Sequence, residues 1–481
     1  MQPTPLHEQE PDYLVEYLHL ATGVTPAQAI ARWTKAFESA RTAWQLSHCR
    51  RLLREAKGWS QADDLARAQI LTSEGLLQQQ IGESAEAERR HQQALRCAHA
   101  AGYTQGIVRS LNNLALLYLE MDNLSRAAEY AEASLNLARQ IGSEIDIVHA
   151  LGNLGIVHRR RGAWAEAVDC FDECLTLFRK QGDRHNEGRT LNNLGNLYRA
   201  QNQLAEALVC YEQDLAICRE LQDRHGEAQA LNNLGLVQYT LRRWDQAIAS
   251  YQESLSLLQT LNDAESQRLV LNNLAMVYDD LDRWAEALSC YESALLLCRA
   301  LGQRQEEAQL LNNMAVTYRK RGQWTEARRC LDESLVLRRS LGDRIGEAVV
   351  LLNHSVLAYA QALQDGLTTE NVSEVLRLAQ EAWAVADEAG ADEERMKLAQ
   401  LCADLATNVP ALAGQVSDYL AAAFRYAARV GQQALTDVEA HLDRIVQHWK
   451  AQRREDEAQA LIAHLEASRA KNIEKSHLCE Q

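Results

Sequence analysis

The chain has 481 residues, 47% of them hydrophobic and 24% charged, with five prolines and a formal charge of −16. The hydrophobic content excludes wholesale disorder, and the acidic balance argues against a nucleic-acid binder, which needs a basic face for the phosphates. No proline stands between Pro26 and Pro410, where roughly nineteen would be expected at about 5% usage, so long unbroken helices fit that span better than a turn-rich β-sandwich or a Pro-rich stalk.

The first residues, MQPTPLHEQEPDY, lack a basic start and an apolar core, so no secretory signal is expected. Thr25-Pro26 reads as an N-cap and a first-turn proline. Ile30, Trp33, Phe37, Ala40 and Trp44 then mark one helical stripe, and Gly58-Trp59-Ser60 ends that segment and caps the next. Residues 1–70 are expected to form an N-terminal helical cap. From there a repeat takes over. LNNLA begins at 111, LGNLG at 151, LNNLG at 191 and 231, LNNLA at 271, LNNMA at 311 and LLNHS at 351, with a degenerate copy at 71. The array is expected to run over 71–398 as about eight 40-residue repeats. The last carries an insertion near 366–371, because Gly390 stands later than strict register allows. Residues 399–481 are expected to be a C-terminal helical cap with breaks at Val409-Pro410 and Gly431 and frayed ends from Lys475 to Gln481.

The first Leu of each block is counted as column 1. Column 8 is Tyr118, His158, Tyr198, Gln238, Tyr278 and Tyr318; column 14 is Trp164, Leu204, Trp244, Trp284 and Trp324. Column 17 is Ala127, Ala167, Ala207, Ala247, Ala287 and Ala327, and column 21 is Phe171, Tyr211, Tyr251 and Tyr291. Columns 1, 4, 5 and 8 share one helical face, and columns 14, 17, 21, 24 and 25 share another. Two helices per repeat follow: A from about column 35 through column 11 of the next block, and B from about column 14 to column 30. Small residues at columns 5 and 17 let A and B approach. Gly182-Asp183-Arg184 and Gly342-Asp343-Arg344 stop B and start the next A.

These columns resemble the tetratricopeptide repeat, in the 40-residue form of kinesin light chains and Pins-type adaptors, without the proline that often closes the 34-residue form. The resemblance implies an all-α fold, a right-handed α-solenoid of antiparallel helix pairs whose concave wall is made of A helices. The physical reading is the same: one helix pair cannot bury its apolar face alone, whereas stacked pairs can.

Asparagine is a poor residue inside a helix, yet column 3 is Asn113, Asn153, Asn193, Asn233, Asn273, Asn313 and Asn353, and column 2 is Asn112, Asn192, Asn232, Asn272 and Asn312. One reading is a row of bridges between neighbouring A helices. The other is a ladder lining the groove, which reads the main chain of an extended peptide, since an amide accepts and donates at once. Column 6 adjoins it with Leu116, Ile156, Leu236, Met276 and Val316 beside Asn196, either as an apolar floor for partner side chains or as core. Columns 9 and 10 vary in charge: Arg159-Arg160, Arg199 and Arg319-Lys320 are basic, Asp279-Asp280 acidic. The basic members are expected to meet acidic residues of a partner.

No HExxH, GxSxG, GxxxxGK[ST] or GxGxxG is present. The eleven cysteines include no CxxC pair and are expected to be reduced, small apolar residues; Cys170 and its column mates lie too far apart for a disulfide. His185, His225, His354, His441 and His448 are expected to serve packing or surface roles. No apolar run reaches the ~18 residues of a membrane span. The expectation is a cytoplasmic, non-enzymatic scaffold without a cofactor or metal, which binds a protein or peptide in its groove and neither nucleic acid nor membrane. The alternative is a ligand-responsive sensor that controls a separate effector.

Overall fold

The computed structural model describes residues 26–56, 64–452 and 454–465, and among them all regular structure is helical. The first residues, Thr25, Gly58-Trp59-Ser60 and Lys475–Gln481 lie outside the described residues. The chain divides into two compact units, 1–237 and 238–481.

In the first unit, Pro26–Thr42 opens on its proline, and Trp33 and Phe37 stack with centroids 5.4 Å apart. The Trp33 indole N–H donates to the carbonyl of Leu52, 3.1 Å away, which ties this helix to Leu46–Ala56. Trp44 departs from the expected stripe. It lies beyond the helix end in a left-handed conformation and is 65% exposed, because the turn into Leu46 carries it off the buried face. The A/B pairs follow as Asp64–Gln80 with Ser84–Ala100, Thr104–Glu120 with Leu124–Ile141, Glu144–Arg160 with Trp164–Gln181, and Arg184–Ala200 with Leu204–Glu220. In the second unit they continue as Ala264–Asp280 with Trp284–Leu301, Arg304–Lys320 with Trp324–Leu341, and Arg344–Asp365 with Thr369–Ala389. Within each unit consecutive helices pack on one another, as Asp64–Gln80 does on Ser84–Ala100 and Ala264–Asp280 on Trp284–Leu301. Up to Leu341 the bounds match the expected columns within one residue.

The close approach of A and B has a direct measure. A Cβ on Gly155 would stand 2.7 Å from the Phe171 ring, and one on Gly195 would stand 2.6 Å from the Tyr211 ring. Column 5 is thus the socket for the column-21 aromatic. In the degenerate first copy, buried His91 fills the same socket over Gly75.

The corners follow a finer period than the sequence reading found. A left-handed residue recurs at Gly82, Gly102, Asp122, Gly142, Gly162, Gly182, Asn202, Gln222, Arg242, Asn262, Asp282, Gly302, Gly322 and Gly342. Both corners of each repeat therefore turn alike. Each closes by a backbone bond across the cap, as from Asp183 N–H to Phe178 (3.0 Å) and from Gln203 N–H to Tyr198 (2.8 Å). Column 12 is chemically mixed, so its shared conformation was hidden. Asp183 and Asp343 then cap the next helix by accepting from the N–H groups of Asn186 and Gly346.

A second hidden device is a buried carboxylate beside the corner. Glu187 accepts from Arg179 at 2.9 Å and Arg184 at 2.5 Å. Glu227 is held by Arg219 and Arg224, and Glu347 by Arg339 and Arg344. Burial pushes Glu187 and Glu227 up, but the paired guanidinium hydrogen bonds outweigh it and hold both below the usual carboxylate range.

The extra residues near the end of the array lengthen the helices themselves. Arg344–Asp365 has 22 residues and Thr369–Ala389 has 21, whereas the other paired helices have 17 or 18. Thr368 and Asn371 form a reciprocal capping box at the new corner. After Asp392–Asn408 the chain breaks at Pro410, where a 3₁₀ turn begins, and again at Gly431. Val416, Leu420, Phe424, Val438, Ile445, Trp449 and Leu461 share the terminal core.

Candidate partner-binding face

On each A helix, columns 1, 4 and 5 point into the core, as in Leu191, Leu194 and Gly195. Columns 2, 3, 6, 9 and 10 share the other side, which is where the candidate residues lie.

The asparagine columns pair across neighbouring A helices. Asn233 Nδ2 donates to Asn192 Oδ1 at 3.0 Å, Asn313 Nδ2 to Asn272 Oδ1 at 3.2 Å, and Asn353 Nδ2 to Asn312 Oδ1 at 2.7 Å. The pattern is column 3 of one block to column 2 of the block before. It explains the register of both columns and the exception within them. Asn193 would need a partner at 152, which is Gly152, and Asn193 is exposed. Asn153 donates instead to the main-chain carbonyl of Asn112 at 3.3 Å. Asn112 is 7% exposed, and neither end of its amide has a protein partner. Asn113 is half-buried on the same helix, and Asn232 and Asn273 also have interaction partners. A bridge uses one donor of one amide and one acceptor of the other, each of which has four valences, so it orients the pair and leaves groups such as Asn192 Nδ2 and Asn233 Oδ1 for a further partner.

Column 6 is open in part. Leu116 is 38% and Met276 36% exposed, while Ile156, Leu236 and Val316 are half-buried. Asn196 departs from the apolar column. It donates to Asn192 Oδ1 and accepts from the Tyr211 hydroxyl, 2.9 Å away.

The charges of columns 9 and 10 divide into free and tied. Arg159 and Arg199 are exposed, and Arg199 also hydrogen-bonds the Tyr211 hydroxyl. Arg319 is half-buried, and burial draws it below its ordinary value. Arg160 bonds the carbonyl of Leu119 and the carboxylate of Asp122, and Lys320 bonds Asp279. Asp280 accepts from the Tyr239 hydroxyl at 2.7 Å. Part of the charge that looked available in sequence is therefore spent between neighbouring A helices.

The thiols lie mostly inside, and burial pushes Cys170 up to about 11 and Cys174 up to about 12, the range of unreactive cysteines. His354 occupies the core position of column 4. His441 is buried with its Nε2 3.3 Å from Asp404, and His448 contacts Gln452, just past the end of its own helix. Among the described residues no three His, Cys, Asp or Glu side chains gather as metal ligands, and no helix is long and apolar enough to cross a membrane.

Profiles of the tetratricopeptide repeat match residues 107–141, 146–220, 205–260, 266–320 and 306–365, together more than half of the chain. No curated protein sequence matches the chain. Among solved structures, the chain is similar to a signal-transduction ATPase with a tetratricopeptide repeat sensor, PH0952 from Pyrococcus horikoshii. The identity is 14% and the TM-score 0.54, over 80% of this chain and 54% of that one. The apo form of the quorum sensor NprR from B. thuringiensis is 14% identical with a TM-score of 0.51, over 68% of this chain and 97% of that one. BtubC (BKLC) from P. vanneervenii is 24% identical with a TM-score of 0.43, over 46% of this chain and 92% of that one.

Proposed function

The chain belongs to the tetratricopeptide repeat family, and from that premise we propose that it is a protein-interaction scaffold that receives a partner segment along its A-helix faces. One observation carries the reading. Leu116 and Met276 stand more than a third exposed beside the amide columns, while columns 4 and 5 of the same helices are buried. Apolar side chains held open next to oriented amides suit a peptide, whose main chain needs donors and acceptors and whose side chains need an apolar floor. Arg159 and Arg199 supply selectivity for acidic partner residues at that face. The amide bridges contribute by fixing the amides in place, so less entropy is lost on binding.

The protein acts by binding and not by catalysis. The sensor form differs only in whether binding changes the shape of the array, which small-angle scattering with and without the partner reads directly. The reading is tested by affinity capture from source lysate with the wild-type chain and with Leu116→Glu/Met276→Glu. Both sites are exposed, so the variant should melt with the wild type and lose the captured partner. Capture of the same partner by both proteins would refute it.

A further inference from the structure

A cavity of about 240 Å³ lies where the A helix Arg184–Ala200, the B helix Leu204–Glu220 and the next A helix, from Arg224, come together. One of its walls is Asp214, a side chain only 5% exposed. Serine at this place in other blocks has a structural use: Ser134 and Ser334 donate to the main-chain carbonyls of Val108 and Ala308 on the preceding A helix. A carboxylate has no hydrogen to give. Asp214 is the one acid among positions 134, 174, 214, 254, 294 and 334, and Gly188 the one glycine among 108, 148, 188, 228, 268, 308 and 348. The two exceptions belong together, because a Cβ on Gly188 would stand 2.9 Å from Asp214 Oδ1. An acid and the gap that admits it thus occur once, beside a cavity.

Asp214 lacks a counter-ion. Among the described residues its one hydrogen bond comes from the Cys218 thiol to Oδ1, 3.6 Å away, which leaves Oδ2 for an occupant. Asp223 lines the same cavity. Its Oδ1 accepts from the Gly226 N–H at 2.9 Å. A Cβ on Gly226 would be 2.6 Å from Asp223 Oδ2 and 2.8 Å from Cys218 Sγ, so this second carboxylate sits on the other side of the thiol. Burial pushes the Asp214 carboxyl up; the Cys218 hydrogen bond opposes this, and the charge of Asp223 adds to it. His185, Arg189 and His225 also line the cavity, but they are exposed, and none of them counters the push on Asp214.

A cation between the two carboxyls would relieve both the burial and the repulsion. Its chemistry is narrowed by what surrounds it. A divalent metal needs about four to eight ligands, and among the described residues no three His, Cys, Asp or Glu side chains gather to hold one. A guanidinium is matched to both oxygens of a carboxylate, whereas Asp214 has one oxygen open, which a compact ammonium can use. Arg189 has no ion pair among the described residues; it repels a plain amine and attracts one that carries a carboxylate. Ile217 and Leu221 give the cavity an apolar side. Its volume is below the roughly 300–1,000 Å³ of sites for drug-sized ligands, so the occupant is small.

We propose that this cavity binds a small apolar α-amino acid, with its ammonium between Asp214 and Asp223, its carboxylate on Arg189 and its side chain against Ile217 and Leu221. The site goes beyond the scaffold reading and does not depend on it. Its occupant touches three consecutive helices, so binding braces the junction between two blocks.

The test is calorimetric titration of the full chain at pH 8 with valine, leucine and methionine. At least one should bind saturably at a single site. For that amino acid, the N-acetyl form lacks the ammonium and should give no heat. The decarboxylated amine lacks the carboxylate and should bind roughly tenfold more weakly. The dipeptide with a following glycine has its carboxylate displaced and should weaken as much. Asp214→Ser should abolish binding without lowering Tm. Asp223→Asn keeps an N-cap acceptor and should weaken binding roughly tenfold. Arg189→Gln should weaken the amino acid but not the amine. No saturable heat with any of the three, an N-acetyl form or a dipeptide equal to the free amino acid, or binding unchanged in Asp214→Ser would overturn the proposal. Leu116→Glu/Met276→Glu lies outside the cavity and should bind the amino acid as the wild type does, so failure of partner capture and failure of this site are read separately.

Discussion

Column 24 offers a substitution whose effect can be worked out in advance. It holds Ser134, Cys174, Asp214, Ser254, Ala294 and Ser334. Ser134 donates to the carbonyl of Val108 at 3.1 Å and Ser334 to that of Ala308 at 2.7 Å. These positions lie at the buried junction of B with the A helix before it. Asp214 occupies that place 5% exposed, and its Oδ1 would be 2.9 Å from a Cβ on Gly188. Burial pushes its carboxyl up to about 7; the Cys218 thiol hydrogen bond opposes this and the charge of Asp223 adds to it. The adjoining 240 Å³ cavity is also lined by His185, Arg189 and His225.

Raising a carboxyl from about 3.8 to about 7 corresponds to a ceiling of roughly 4 kcal/mol against the folded state once the group must ionise. The folded protein holds its proton more tightly than the unfolded chain. Stability from this group is therefore complete below about pH 4 and is lost as pH rises through about 7. Asp214→Ser supplies a hydroxyl like those of Ser134 and Ser334 and removes the titration. It should stabilise the chain by about 2–4 kcal/mol at pH 8 and by little at pH 4. Thermal melts and amide exchange over 204–220, for both proteins between pH 4 and 8, read the difference. Parallel curves would show that Asp214 is ionised at little cost and refute the reasoning.

Two further outcomes follow from the same geometry. His91 is fully buried without a hydrogen-bond partner, and burial pulls it down to about 4. Its contribution is present above about pH 6.5 and is lost as pH falls through about 4, so the wild type should lose roughly 3 kcal/mol across that window which His91→Phe keeps. Equal acid melts would sink this. Gln222 holds φ 57 at a corner where glycine stands in five other blocks. Gln222→Gly should therefore raise stability by about 1 kcal/mol in urea melts, and a loss would mean the side chain makes a contact worth more than the strain.

Much of the fold was legible because the 40-residue period repeats side-chain size. Column 17 is Ala and column 5 is small wherever A meets B, and column 32 is often Gly where B ends. The half-period was not legible. Asp122, Gly162, Asn202 and Arg242 share a backbone conformation but no chemistry. Trp44 was misplaced because a stripe extends on paper past the residue where the helix stops.

At the candidate face, sequence alone determined which residues repeat, and therefore that both asparagine columns have a purpose. It could not say which amide meets which. A column-3 residue finds its partner 41 positions earlier, and that pairing exists only when two A helices lie side by side. The same packing decides that Asn193 faces a glycine and that Asn112 is left unpaired over a cavity. Side-chain type is a property of the chain, whereas the satisfaction of a hydrogen bond depends on distances between elements, and only the folded structure supplies those.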